Sequence, residues 1–382
     1  MSARRKIGMI LTPEKFMTGA LLMNRDIYQF LKNKIDIHPI IPKNEEYLNI
    51  RNIGTILYYF SAVDQAEDCD FIWGTSIATL GFFNQNKVIQ HFHGVDSIGR
   101  QVVLDNYKSQ SESENKVTQK WQKILLNNND SNLEEVKRDI AISGEIEKIC
   151  CQKAIVIIAV SPLVKKQLIG DFGVSSEKIK VILNGISDYW FENHDSKFVD
   201  DAKVIFVTRV SNSFYNLLEK GQDRAYEILS QLDNQKKIYS HLSTSNPREI
   251  NEYKKVVENN TGAQIIIGKN REQLAREYRA GDIYLGTSRT EACQLTLIEA
   301  MACRMCPVTY SVGIVSDYIK NGINGFVVKS IKEAVHVIEK LSKDKKLRET
   351  IGNNAYFTAK ENFTYDRMLD EYSEFISNVI KG

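Results

Sequence analysis

Arg289-Thr-Glu-Ala-Cys-Gln-Leu-Thr-Leu-Ile-Glu-Ala-Met-Ala302 is the stretch whose reading decides the fold. It carries two carboxylates, Glu291 and Glu299, eight positions apart with no charge between them. Just before it, Asp282-Ile-Tyr-Leu-Gly-Thr-Ser288 is a short apolar run that predicts a buried strand leaving a sheet. Just after Glu291, the residues Leu295, Leu297, Ile298 and Met301 set out an apolar helix pattern around Glu299. A strand, a turn holding Glu291 and a helix holding Glu299 are the layout of a ligand site in a parallel α/β sheet. The first amides of such a helix lack backbone partners and favour an anion such as phosphate. One carboxylate would accept hydroxyl hydrogen bonds at the helix mouth and the other one turn deeper. A diphosphate joining two sugars fits that spacing.

The neighbours of this stretch occur in a telling order. Arg279-Ala-Gly-Asp-Ile-Tyr-Leu-Gly-Thr-Ser288 precedes it, and Ser311-Val-Gly-Ile-Val-Ser-Asp-Tyr-Ile-Lys-Asn-Gly-Ile-Asn-Gly-Phe-Val-Val328 follows it. Upstream stand Ile155-Val-Ile-Ile-Ala-Val-Ser161, Lys180-Val-Ile-Leu-Asn-Gly-Ile186, and Val204-Ile-Phe-Val-Thr-Arg209 with Lys220-Gly221. Taken together these segments resemble the retaining glycosyltransferases of the GT-B fold, glycosyltransferase family 4, with Glu291 to Glu299 as the E-x7-E motif. The resemblance runs from about residue 6 to the C-terminus. It implies two Rossmann-like, doubly wound parallel-sheet domains facing a cleft, with the last helix crossing back to the first domain. The expected division is 1–186 plus the helix 365–382 on the acceptor side, and 187–364 for the nucleotide sugar.

Composition agrees with that scale. A chain of 382 residues exceeds what one core usually holds. Charged residues make up 26% and hydrophobic ones 43%, an ordinary globular balance, and the net charge of +2 gives no footing for nucleic acid. No signal peptide is read at the start, and no run approaches the ~18 apolar residues of a membrane span. The expected location is cytoplasmic, with peripheral contact at the inner membrane face allowed. The six cysteines suggest no disulfide framework, and the pair Cys303 and Cys306 reads as buried thiols rather than zinc ligands.

Apolar runs alternate with helical patterns throughout, as parallel βαβ units require. Strands are expected at 6–11, 35–41, 55–59, 71–74, 88–91 and 155–160. A second set is expected at 204–208, 237–241, 264–267, 283–286, 306–310 and 325–327. Helices are expected at 19–32, 162–172 and 366–380. Asp105 to Gly144 is polar and reads as a helical excursion, with Val117, Trp121, Ile124 and Leu125 at helical spacing.

The resemblance also assigns roles, residue by residue. Glu291 takes the hydroxyls of the donor sugar and Glu299 the ribose of the nucleotide. The backbone amides of Ala292, Cys293, Gln294, Leu295 and Thr296 cradle diphosphate and sugar. Arg209 and Lys220, read alone, are two of 50 basic residues. In their strand-Arg and Lys-Gly context they resemble the family's diphosphate pair, which stabilises the leaving group as charge develops. His93, before Gly94, resembles the histidine that meets the donor sugar, and His91 shares its strand face. Gly19 opens the first long helix, where its amide contacts phosphate or acceptor. Ser161 is expected to line the cleft, and Asn184 with Gly185 to form a structural turn at the hinge. No metal and no cofactor are implied. The donor is a nucleotide-diphosphate sugar, a UDP-sugar by preference, and the acceptor a glycan, glycolipid or protein hydroxyl. Gln294 where the family usually has Gly, Arg304 where it usually has Gly, and the single Gly19 motivate a second reading: a catalytically weakened GT-B protein that binds sugars or supports a partner transferase. An epimerase on the same fold would need an acid/base set that is not found.

Overall fold

The structure is a computed structural model, and it describes residues 5–12, 19–49, 54–84, 86–110, 133–192, 202–210, 214–242 and 247–381. In chain order the first half runs β1 (Ile7–Ile10), α1 (Gly19–Leu31), β2 (Ile37–Ile40), α2 (Gly54–Phe60), β3 (Phe71–Gly74), β4 (Lys87–Phe92), α3 (Asp96–Gln110), α4 (Leu133–Lys153), β5 (Val156–Ala159), α5 (Pro162–Phe172) and β6 (Ile179–Val181). The second half runs β7 (Val204–Val210), α6 (Phe214–Glu219), α7 (Gln222–Ser230), β8 (Lys236–Leu242), α8 (Pro247–Thr261), β9 (Gln264–Ile267), α9 (Arg271–Arg279), β10 (Ile283–Gly286), α10 (Leu295–Ala302), β11 (Cys306–Tyr310), α11 (Val315–Tyr318), β12 (Phe326–Val328), α12 (Ile331–Lys343), α13 (Lys345–Asn362) and α14 (Tyr365–Lys381).

The chain divides into two compact units. The first comprises residues up to Ile98, Leu133–Gly185, and the last helix from Tyr365. The second comprises α3 from Gly99 onward and Ile186–Thr364. Each unit has one six-stranded parallel sheet.

The first sheet has the order β2-β1-β3-β4-β5-β6. Its inner strands are apolar and buried along their length, as strands covered on both faces must be. Ser161 caps α5 by accepting from the Val164 amide, Pro162 opens the helix, and Gly173 closes it at φ 67. Ser161 is fully buried in that role. It is a helix cap, which accounts for a serine at a strand end better than the expected place in a cleft.

The second sheet has the order β12-β11-β10-β7-β8-β9. Strand order reverses between β7 and β10, and the loops leaving the carboxyl ends of two such strands form a crevice. Its core runs through Val204, Phe206, Ile283, Leu285, Val308 and Ile338, all within 2% of full burial. Asn270 and Gln273 form a reciprocal capping box at the start of α9.

Two expectations fail. Residues 55–59 form helix α2, not a strand. Thr-Ile-Leu-Tyr-Tyr has strong β propensity, but Gly54 and Tyr58 are the buried pair, four apart, so one helical face meets the core. Tyr58 then donates to the Pro42 carbonyl at 3.3 Å. Strand β6 was not among the expected strands; it is only three residues long. Of the polar excursion, α3 and α4 are the described parts. Val117, Trp121, Ile124 and Leu125 lie outside the described residues.

Candidate functional site

In the second unit the loops after β7 and β10 are fastened together before any ligand is considered. Gly221 sits at φ 60, and a Cβ there would lie 1.8 Å from the Thr287 carbonyl oxygen. Only glycine allows that approach. The Arg289 amide donates to the Glu219 carbonyl at 2.9 Å, and the Thr287 hydroxyl donates to the Lys220 carbonyl at 3.2 Å. Arg289 itself is buried and forks onto Asp223, with Nη1 and Nη2 reaching the two carboxylate oxygens at 2.7 and 2.6 Å. Its Nη1 also donates to the Leu218 carbonyl at 2.8 Å. This bidentate, desolvated pair fixes the two loops in register.

That register places Lys220 against Glu291. The Lys220 Nζ donates to Glu291 Oε1 at 3.0 Å, and the Ser288 hydroxyl donates to the same oxygen at 2.9 Å. Glu219 stands 3.6 Å from the ammonium. Burial pushes the Lys220 ammonium down, but Glu291 and Glu219 outweigh it and hold the group above the ordinary lysine value. Lys220 therefore stays charged through the physiological range. Gly313, at φ 58, lies over this turn, with its Cβ position 3.2 Å from both the Glu291 Cβ and the Ala292 carbonyl oxygen.

Helix α10 begins at Leu295 with Gln294 at its cap position, and the Gln294 side chain does not cap it. Gln294 is 3% exposed and turns inward, where Nε2 donates to the Tyr284 hydroxyl at 3.2 Å. Tyr284 also bonds the Thr296 hydroxyl at 2.8 Å. Gln294 thus leaves the first amides of α10 to another acceptor. Ala292 and Cys293, between Glu291 and this helix, are half-buried.

Glu299 lies inside α10 and is 5% exposed. Arg271, the first residue of α9, donates from Nη2 to Glu299 Oε1 at 2.8 Å. Burial raises the Glu299 carboxyl above its ordinary value, and the Arg271 guanidinium opposes that rise. A buried carboxylate without such a partner would be costly.

Of the sequence candidates, the structure joins Lys220 and Glu291 directly and sets Glu299 deeper, within helix α10. Arg209 is near the end of β7 with an exposed side chain, and its carbonyl accepts from Gln222 at 2.9 Å. It is not bonded into the Lys220–Glu291 cluster. Arg304 occupies a left-handed position at φ 56, where a glycine would be unstrained. Its guanidinium bonds Asn353 and stacks over Tyr356 at 4.2 Å, which offsets the backbone cost. Cys303 and Cys306 are buried thiols that donate to the carbonyls of Trp190 and Arg348. Arg271, Arg289 and Asp223 were missed by sequence reading. The capping box at Asn270–Gln273 was a legible sign that Arg271 starts a helix; nothing local marks the Arg289–Asp223 pair.

The first unit holds the histidines. His93 is half-buried and bonded through Nε2 to Asn24 Oδ1 at 2.9 Å. His91 is fully buried and bonded through Nε2 to the Tyr372 hydroxyl at 2.8 Å. The two imidazoles lie 4.0 Å apart, and Trp73 stacks on Tyr372 at 5.7 Å. Desolvation lowers His93 to about 4 and lowers His91 well below its ordinary value, with His93 adding to the latter. Both rings are neutral at pH 7. Gly185 donates its amide to the Met368 sulfur, and Asn184 beside it is 5% exposed. Gly19 is the first residue of α1.

Among the described residues, no cluster of three His, Cys, Asp or Glu side chains is placed to hold a metal ion. No described helix is long and apolar enough to cross a membrane.

Comparison with known proteins meets this geometry. Residues 191–357 match the family described as glycosyl transferases group 1. An uncharacterized glycosyltransferase of Methanocaldococcus jannaschii is 25% identical over 248 residues, which is 62% of this chain and 61% of the relative. The capsular polysaccharide biosynthesis glycosyltransferase CapM of Staphylococcus aureus is 25% identical over 62% of this chain and 65% of its own. The matches thus span under two thirds of these curated relatives. The crystal structure of Anabaena HepE in complex with UDP and glucose superposes with a TM-score of 0.68 at 17% identity, covering 98% of this chain and 100% of that one. Its likeness fixes the fold as GT-B. The stretch that matches the glycosyl transferases group 1 family, residues 191–357, contains Lys220, Arg271, Glu291 and Glu299.

Proposed function

We propose that this chain is a retaining glycosyltransferase that moves a hexose or N-acetylhexosamine from a nucleotide-diphosphate sugar to a glycan or other hydroxyl acceptor. The observation that carries the reading is the Lys220–Glu291 ion pair at the mouth of α10, with the buried Glu299 deeper in the same helix. UDP is the preferred nucleotide, in line with the UDP and glucose of the HepE complex. A polysaccharide acceptor accords with the name of CapM.

In this mechanism the bond from the sugar's anomeric carbon to the diphosphate breaks, and a bond to the acceptor oxygen forms on the same face. The acceptor's proton passes to the leaving phosphate. Lys220, Arg209 and the first amides of α10 stabilise the negative charge that develops on that phosphate. The cationic side chains supply this charge without a metal ion. Glu291 orients the donor through its hydroxyls, and Glu299 accepts from the ribose. His93 of the first unit, neutral and hydrogen-bonded to Asn24, is assigned to the donor sugar. The amides of Ala292, Cys293, Gln294, Leu295 and Thr296 hold diphosphate and sugar, and the amide of Gly19 is assigned to phosphate or acceptor.

One observation favours a second reading. Gln294 fills, with a buried side chain, a position where the resembling family usually has none. A protein so narrowed would bind a nucleotide sugar without transferring it. A thermal-shift panel of UDP-, GDP- and ADP-sugars, followed by assay of nucleotide release, separates the two. A ligand at a hundred times its dissociation constant stabilises by about 2.7 kcal/mol. The transferase reading requires one nucleotide sugar both to stabilise the chain and to be slowly hydrolysed without acceptor. Stabilisation without turnover supports the second reading, and no stabilisation by any donor overturns both.

A further inference from the structure

We propose that Arg271 is a positioning residue for nucleotide binding: through its ion pair it keeps Glu299 an acceptor-only carboxylate, ready to receive both hydroxyls of the ribose diol. This rests on the reading of the site given above and adds to it a residue that the motif does not contain.

The argument begins from the site's asymmetry. Glu299 is 6% exposed at its side chain, while Arg271 is 43% exposed. The carboxylate has left water and the guanidinium has not. An ionised carboxylate accepts at two oxygens with about four lone-pair sites, whereas a protonated one spends an oxygen on an O–H donor. Both hydroxyls of a cis-diol donate most strongly to the ionised form, which offers an equivalent charged oxygen to each. The Arg271 contact at 2.8 Å uses one site on Oε1 and leaves the rest.

The other groups around Glu299 cannot do this. Tyr189 comes from the short helical turn Asp188–Phe191, Tyr278 from α9 and Tyr284 from β10. All three are phenols raised above their ordinary value, chiefly by burial, so they are neutral. Glu272, next to Arg271, adds a negative charge near Tyr189. Helix α13, packed against α10, brings Arg348, which is fully buried beside Asp282. Arg271 is the cation that acts on Glu299. Its place as the first residue of α9 is itself set by the Asn270–Gln273 capping box. The guanidinium thus starts from a fixed backbone.

The test is calorimetry of UDP binding to the full chain between pH 6.5 and 9, with GDP and ADP in parallel. The variants are Arg271→Met, Arg271→Lys, Glu299→Gln and the double variant Arg271→Met/Glu299→Gln. Ionisation of the nucleotide is common to all, so ratios to the unsubstituted chain are compared. Arg271→Met is expected to bind about tenfold more weakly at pH 7, the scale of a lost charge-assisted bond. Without the cation the Glu299 carboxyl rises further, so that loss should shrink as pH increases. Arg271→Lys should restore most of the affinity. Glu299→Gln should be weak at every pH, and adding Arg271→Met to it should cost nothing more. A loss in Arg271→Met that is the same at all pH values overturns the proposal, as does additivity in the double variant, since either means that Arg271 touches the nucleotide itself. Unchanged affinity in Arg271→Met also overturns it. Failure of the unsubstituted chain to bind any of the three nucleotides overturns the functional reading instead.

Discussion

The loops after β7 and β10 and the strand end at His91–His93 solve opposite problems. In the second unit, Lys220, Glu219, Glu291, Arg289 and Asp223 crowd together as charges, each matched by an opposite one. In the first unit, His91, His93, Trp73 and Tyr372 form a neutral aromatic cluster. Desolvation keeps the imidazoles uncharged there. Under the proposed function, the difference is a division of labour. A preorganised set of charges stabilises a charged leaving group, whereas a neutral ring surface supplies hydrogen bonds and shape without competing for the anion.

If that contrast is right, the largest effect belongs to the rivet between the charged loops. Arg289→Ala leaves Asp223 buried and unpaired, and should destabilise the chain by about 3–5 kcal/mol in denaturant unfolding. Loss under about 1 kcal/mol would mean that Asp223 finds water or another donor, and that the loops are held by backbone bonds alone.

Lys220→Ala comes next. Affinity for UDP should fall by about 1.5–3 kcal/mol by calorimetry, the range for hydrogen bonds to charged groups. Glu291→Gln should leave that affinity nearly intact and lower turnover, because its partner is the sugar. The reverse pattern would exchange the roles of Glu291 and Glu299.

A smaller effect is expected on the neutral side. Tyr372→Phe removes the partner of His91 Nε2 and should cost about 1 kcal/mol of stability. A larger loss would show that the aromatic cluster carries more of the first unit's stability than one hydrogen bond.

The smallest and most discriminating effect is in pH. Unfolded histidines protonate near pH 6.5. Folded His93 does so only at about 4, and burial lowers folded His91 as well. Between those values the unfolded chain binds more protons, so stability should fall as pH drops below about 6.5. His93→Gln should flatten that slope. NMR titration that placed the His93 imidazole near 6.5 would break the contrast, since the cluster would then be solvated.

Much of this was legible in the chain because it depends on local pattern. The strands at 71–74, 264–267, 283–286 and 306–310 appear where the apolar runs put them, since a buried parallel strand needs little beyond continuous hydrophobicity. Burial of Glu299 followed from its sharing a helix face with Leu295 and Ile298. The strand expected at 55–59 failed because propensity yields to which face meets the core. Ser161 was misread because a cap and a ligand contact look alike at a strand end.

The sequence by itself determined the alternation of strands and helices, and the placement of Glu291 in a turn and Glu299 inside a helix. Those features follow from side-chain periodicity over a few residues. Only the tertiary structure decided which charges meet. Lys220 and Glu291 are 71 positions apart, Arg289 and Asp223 are 66 apart, and Arg271 and Glu299 are 28 apart. No local rule pairs residues at such separations. The first two pairs meet because two parallel strands, β7 and β10, become neighbours in the second sheet and send their loops out at the same edge, and the third because α9 packs against α10.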